Sequence, residues 1–169
     1  MRTLPEPMEE DGGVRVDVNT KAPKTVTDTH ITGFSCEFST FALAEDVLGN
    51  RNYQLEATLS GGNVTGSYGS YDRFGSRIKR VLLADAAFME RLQTIVQEHD
   101  FACHNGYHTH VSGLPDNYGS SIRITYASGE EIHASDNQDG FLSVEAMTGL
   151  EALFYNHSAE ISPEEEETL

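Results

Sequence analysis

The sequence predicts an α+β fold with two layers, in which an antiparallel sheet of about five or six strands carries two helices on one face. Apolar residues alternate with polar ones in several short segments, which is typical of half-buried strands. Two later segments repeat apolar residues with the period of an amphipathic helix. Short glycine-containing turns separate the strands, and such turns favour hairpins over the long crossovers of a parallel sheet.

The strand pattern is clearest in the first half of the chain. Residues 30–40 alternate apolar and polar side chains, and residues 53–59 repeat the pattern. The following turn contains Gly61 and Gly62, which supply the positive φ that a tight hairpin requires. Residues 64–68 then form the return strand.

The next element has a helical period. Between residues 85 and 98 the apolar side chains fall on one helical face, and Asp85 is a candidate N-cap. A second hairpin follows at residues 122–134, where alternating strands flank a glycine-containing turn. Ser143 is positioned to cap a last helix that extends to Phe154.

The second hairpin also carries a resemblance. The segment IRITYASGEEIHASDN, residues 122–137, resembles a strand–turn–strand unit of small uncharacterised bacterial proteins. In those proteins a helix and an irregular loop precede the hairpin and a helix follows it, so the resemblance covers residues 85–155. It implies an α+β fold and a bacterial origin, and it implies no activity and no site residues.

Composition divides the chain into three parts. Residues 1–24 are rich in proline, glycine and acid and are predicted to be a flexible acidic leader, with a short extended piece at 14–18. Residues 25–158 are predicted to form a single α+β domain. Residues 159–169 are predicted to be an acidic disordered tail.

The charge excludes several classes of partner. The 169 residues include 27 Asp plus Glu and 11 Lys plus Arg, a net charge of −16, which disfavours nucleic acid and anionic membranes. There is no apolar run long enough to span a membrane and no secretory signal, so we expect a soluble, cytoplasmic protein. The surplus charge leaves open an acidic face that docks on a basic partner, as a nucleic-acid mimic would.

A histidine cluster is the first candidate site. Four of the seven histidines lie between residues 99 and 110, together with Cys103. Imidazole suits Zn²⁺, but the spacing motifs of structural zinc sites and zincins are absent. We therefore expect no cofactor, with zinc at His104, His108 and His110 as the alternative, in a metal-binding protein or a metal-dependent hydrolase.

A tyrosine-rich and arginine-rich stretch is the second candidate site. Four of the eleven basic residues fall between positions 73 and 80, directly after a glycine-tyrosine segment. Rigid tyrosines near arginines make good binding surfaces, although the same residues also fit a glycine-loosened strand with a basic end. The leading hypothesis is a non-enzymatic binding or interaction module, with no catalytic residues, that contacts a protein or small-molecule ligand through Tyr68, Tyr71, Arg73 and Tyr107.

The polar segment 135–140 has a third possible function, as a calcium loop. It lacks the bidentate glutamate that an EF-hand needs at its twelfth position. We interpret it as a polar turn that leads into the last helix.

Overall fold

One nine-stranded sheet and two α-helices make up the part of the chain that the computed structural model describes, residues 14–41, 43, 47–112, 119–138 and 140–160. The strands are β1 (Val14–Val18), β2 (Ile31–Ser39), β3 (Asn52–Ser60), β4 (Asn63–Tyr71), β5 (Arg77–Asp85), β6 (Tyr107–Val111), β7 (Ser120–Tyr126), β8 (Glu131–Asp136) and β9 (Ser158–Glu160). The helices are α1 (Ala87–Glu98) and α2 (Val144–Asn156), and a 3-10 turn spans Phe101–His104. In these described ranges, neither helix combines the length and the apolar character needed to cross a bilayer.

The strand order corrects the predicted fold class. The strands follow the order β1-β6-β8-β7-β2-β3-β4-β5-β9, and all neighbours are antiparallel except β6 and β8, which are parallel. The prediction of a two-layer α+β fold with about five or six antiparallel strands is therefore wrong. The sheet is larger and mixed because segments without an alternating pattern, such as β6, join it through distant neighbours.

The core lies on the face of the sheet against which the helices pack. Phe34 of β2 stands opposite Ala57 of β3 on one side and Ile124 of β7 on the other. Its ring lies 5.6 Å from the ring of Phe154 in α2, which in turn lies 5.1 Å from the ring of Phe88 in α1. The alternate residues face the other side of the sheet and are mostly polar, as expected for a sheet with one solvated face.

Two of three local signals at turns and helix ends are confirmed. Gly61 and Gly62 close the β3–β4 hairpin with φ values of 60° and 83°. The prediction of Asp85 as the N-cap of α1 is wrong, because Ala86 holds that position, although Asp85 Oδ1 accepts a hydrogen bond from the Ala87 backbone N–H at 3.0 Å. Ser143 Oγ accepts from the Ala146 backbone N–H at 3.1 Å and caps α2 as predicted.

The two edge strands of the sheet lie at least partly in segments that were predicted to be outside the folded domain. β1 lies inside the segment predicted to be a leader, and it pairs with β6 along its whole length. β9 overlaps the predicted tail and pairs with Arg80–Leu82 of β5. The remainder of both predicted segments, residues 1–13 and 161–169, lies outside the described residues.

Candidate functional site

β6 joins the sheet through a short parallel contact with β8, and side chains reinforce that contact. His108 stands opposite Ser135, and Thr109 stands opposite Asp136. His108 Nδ1 and Ser135 Oγ are 2.8 Å apart, within hydrogen-bond distance. Thr109 Oγ1 donates to Asp136 Oδ2 at 2.5 Å. These bonds hold His108, one of the three predicted zinc ligands, in a ladder of side chains between the two strands.

Asn137 extends this ladder beyond the end of β8. Its Oδ1 accepts from the Val111 backbone N–H at 2.8 Å, and its Nδ2 donates to the Val111 carbonyl oxygen at 3.0 Å. The amide therefore pairs with the Val111 backbone much as a further residue of β8 would. The side chain is buried, so both bonds are shielded from water. The segment interpreted as a polar turn thus clamps β6 to the sheet.

A cleft of about 340 Å³ opens beside this clamp, where β2, β7 and β8 approach β6. Hydroxyl, amide, imidazole and carboxylate side chains form its wall, among them Glu37, His108, Ser120, Ser121, Ser135 and Asn137. The volume lies at the small end of the range for sites that hold small molecules. The cleft is therefore a candidate for a ligand site in the described part of the chain.

Ser120 is the most informative residue of the cleft wall. It is only 4 % exposed, and its Oγ has no hydrogen-bond partner among the described residues. A buried hydroxyl without a partner costs about 1–3 kcal/mol, so native proteins rarely retain one without a reason. The preceding Gly119 brings the chain close to β8, because a Cβ there would lie 1.7 Å from the Asp136 carbonyl oxygen. Ser120 follows this close approach of β7 to β8 and is one of the residues of the cleft wall.

The charges of the cleft favour some ligands over others. The Glu37 carboxylate accepts one long hydrogen bond, of 3.5 Å, from Gln54 Nε2. It can therefore accept further hydrogen bonds from a ligand. Both oxygens of the Asp136 carboxylate already accept hydrogen bonds, Oδ2 from Thr109 and Oδ1 from the Gln138 backbone N–H at 2.8 Å. Among the described residues that line the cleft there is no lysine or arginine. The cleft is thus suited to a neutral or positively charged molecule.

Two histidines pack together at one side of the cleft. The rings of His108 and His133 are 4.6 Å apart. Burial lowers the pKa of His133, and the neighbouring charges of His108 and Arg123 lower it further. His133 is therefore neutral at physiological pH and does not add positive charge beside the cleft.

The predicted zinc ligands are not brought together. His104 lies on the 3-10 turn, its ring 4.9 Å from the ring of Phe141, and partial burial lowers its pKa. His108 and His110 lie on β6, two residues apart, and both line the cleft. Within the described ranges there is no group of three or more His, Cys, Asp or Glu side chains arranged to hold a metal ion. The zinc alternative remains a prediction that this geometry does not support.

Tyr68, one of the four predicted contact residues, belongs to the core. It is 2 % exposed, and its hydroxyl donates to Glu151 Oε2 at 2.7 Å. Burial raises the pKa of Tyr68, and the bond to the Glu151 carboxylate raises it further. The side chain fixes α2 against β4 and is not available as a surface contact.

The other three predicted contact residues lie away from the cleft, although Tyr71 and Arg73 both contact the ring of Phe41. Tyr71 is half-buried at the end of β4, with the Arg77 guanidinium 5.2 Å from its ring centre. Arg73 is exposed on the β4–β5 turn and donates to the Phe41 carbonyl oxygen. Tyr107 is 39 % exposed on β6. None of them lines the cleft.

Apart from His108 and His110, the residues that form the cleft were missed in the sequence because they come from separate strands. Glu37 lies on β2, Ser120 on β7 and Asn137 just after β8. The only local signal is a pair of serines at the start of an apolar strand, and this pair gives no indication of what lies opposite. Pairing between distant strands, not a motif, assembles the cleft.

Comparisons with known proteins add no functional information. No family model matches the sequence, and no curated protein or solved structure matches it. The resemblance to small uncharacterised bacterial proteins therefore stays a prediction.

Proposed function

We propose that the protein is a binding module for a small polar molecule, neutral or cationic, that occupies the cleft beside β6. The single observation that carries this proposal is that Ser120, a residue of the cleft wall, has a buried hydroxyl without a hydrogen-bond partner among the described residues. A bound ligand that supplies a donor or an acceptor to this hydroxyl removes the cost of burying it.

The size and charge of the cleft define the ligand class. A volume of about 340 Å³ accommodates a metabolite-sized molecule. Glu37 offers a carboxylate acceptor, and Ser121 and Ser135 add hydroxyl groups nearby. A ligand with hydroxyl, amide or ammonium donors is complementary to this wall. An anionic ligand would meet two carboxylates, Glu37 and Asp136, and a chain of net charge −16.

Nuclear magnetic resonance with three matched probe sets tests the proposal. The sets are small polyols and amides, primary ammonium compounds, and carboxylates of similar size. We expect the first two sets to shift the backbone amides of Ser120, Ser121 and Asn137, and the carboxylates to leave them in place. Zn²⁺ serves as a further probe, because shifts confined to His108 and His110 would favour the zinc alternative instead.

A pair of variants links the binding to the cleft. Ser121→Phe fills the cleft from the polar face of β7, and we expect it to weaken binding of the responding probe at least about tenfold. Ser35→Phe is the matched control, because Ser35 lies on the same face of the neighbouring strand, outside the cleft wall. Equal binding by the two variants, or probe shifts that map elsewhere in the sheet, would refute the proposal.

A further inference from the structure

One stretch of the β5 edge has no neighbour among the described residues. β5 pairs with β4 from Arg77 to Asp85, but it pairs with β9 only from Arg80 to Leu82. The Leu83 backbone N–H donates to the His157 carbonyl oxygen on the β9 side. Since alternate residues of a strand face the same edge, the backbone groups of Lys79 and Arg77 also face that side. These groups can pair with one more extended segment.

The chemistry of this edge is basic in an otherwise acidic chain. Arg77 and Lys79 are exposed and line a groove of about 520 Å³ that extends over β3 and β4, where Glu56 and Glu160 also line it. Arg73 is exposed on the turn that precedes β5. Four of the eleven basic residues fall between positions 73 and 80, on a chain of net charge −16. An acidic segment is the complementary partner.

Arg80 fixes where such a segment would start. Its Nε donates to Ser158 Oγ at 2.9 Å and its Nη2 to the Ser158 carbonyl oxygen at 2.5 Å. Its guanidinium also lies 3.9 Å from the ring centre of Tyr155. These contacts anchor β9, which runs antiparallel to β5 and places Glu160 opposite Arg80. The chain therefore leaves β9 pointing toward Lys79.

We propose that the edge of β5 at Arg77–Lys79 binds an extended acidic segment, and that residues 161–169 of the same chain are that segment. If the segment continues the register of β9 past Glu160, residues 161–163 would pair with Lys79, Ile78 and Arg77. Residue 163 is proline, which has no N–H, so opposite Arg77 it would pair only through its carbonyl oxygen, as acceptor of the Arg77 backbone N–H. Residues 164–167 are all glutamate and come next to the turn that carries Arg73.

Hydrogen exchange on the full chain and on a chain ending at Glu160 tests this inference. We expect the backbone amides of Lys79 and Arg77 to exchange at least about tenfold faster in the shortened chain at low salt. The amides of β3 and β7 serve as the folding control and should not change. Equal exchange at Lys79 in the two chains would overturn the proposal.

Charge is tested separately from length. Replacing the glutamates at 164–167 by glutamine should speed exchange at Lys79, and high salt should do the same to the unmodified chain. Neutralising Glu6, Glu9, Glu10 and Asp11 removes the same charge elsewhere and should have no effect. Full protection in the glutamine variant would overturn the assignment of an acidic segment.

A synthetic peptide of residues 161–169 completes the test. Added to the chain that ends at Glu160, it should restore slow exchange at Lys79, while its glutamine counterpart should bind at least about tenfold more weakly. Binding of the acidic peptide at any site away from Arg77–Lys79 would contradict the proposal. In the strand order, β6 and β5 lie near opposite ends of the sheet. The outcome of this test is therefore independent of the ligand proposed for the cleft beside β6.

Discussion

Replacing Asn137 by alanine tests the view that a side-chain clamp holds β6 in the sheet. The substitution removes two hydrogen bonds to the Val111 backbone, of 2.8 and 3.0 Å. Each contributes about 1 kcal/mol net, so the loss is about 2 kcal/mol. The backbone pairing between β6 and β8 covers only two residue pairs, so we expect β1 and β6 to open locally before the rest of the sheet.

Native-state hydrogen exchange measures this opening directly. A loss of about 2 kcal/mol speeds exchange of protected β1 and β6 amides about thirtyfold. Amides of β3 and β4 should keep their rates. Asn63→Ala is the matched control, because Asn63 is exposed in the β3–β4 hairpin. Asn137→Asp keeps an oxygen that accepts from the Val111 N–H but places a second carboxylate oxygen against the Val111 carbonyl oxygen. Its β1 and β6 exchange rates should fall between those of the wild type and the alanine variant. Uniform acceleration across the sheet, or none at all, would refute the clamp.

Three further outcomes follow from the described contacts. Tyr68→Phe removes the hydroxyl that bonds to Glu151 and should lower the free energy of unfolding by about 1 kcal/mol in urea; an unchanged midpoint would contradict the core role of this bond. Hydrogen bonds from the backbone and ring of His30 lower the pKa of Asp28 to about 2, below its value in the unfolded chain. The contribution of Asp28 to stability is therefore complete above about pH 4 and is lost as the pH falls toward 2. In a pH series of thermal unfolding, Asp28→Asn should reduce the fall of the melting temperature over this acidic range. A thiol reagent should modify exposed Cys103 in the native protein and buried Cys36 only in denaturant; two reactive thiols without denaturant would contradict the packing of β2.

The prediction of individual elements succeeded where the signal is local. The helical repeat of residues 85–98 became α1, and the pair of glycines closed the β3–β4 hairpin. A helix or a hairpin is specified by side chains a few residues apart, so its pattern is visible in one segment of sequence. Ser143 could be assigned as a cap for the same reason.

The membership of the sheet could not be predicted in this way. β6 lies in a segment that was interpreted as an irregular loop, because His108, Thr109 and His110 show no apolar alternation. It becomes a strand through its pairing with β1 and through bonds to Ser135, Asp136 and Asn137, which are 26 or 27 residues further along the chain. Such pairing depends on tertiary contacts that no local period encodes.

Burial and the candidate site were likewise decided by tertiary structure. The alternating pattern placed Tyr68 on a strand, but only the position of α2 and its Glu151 made it a core residue. The cleft arises where β2, β7 and β8 meet β6, so Glu37 and Ser120 acquire a common role only after the sheet has formed. The sequence by itself determined the helices, the hairpins and the charge, because each depends on near neighbours or on composition. Tertiary structure decided the strand order and the cleft, because both depend on which distant segments come into contact.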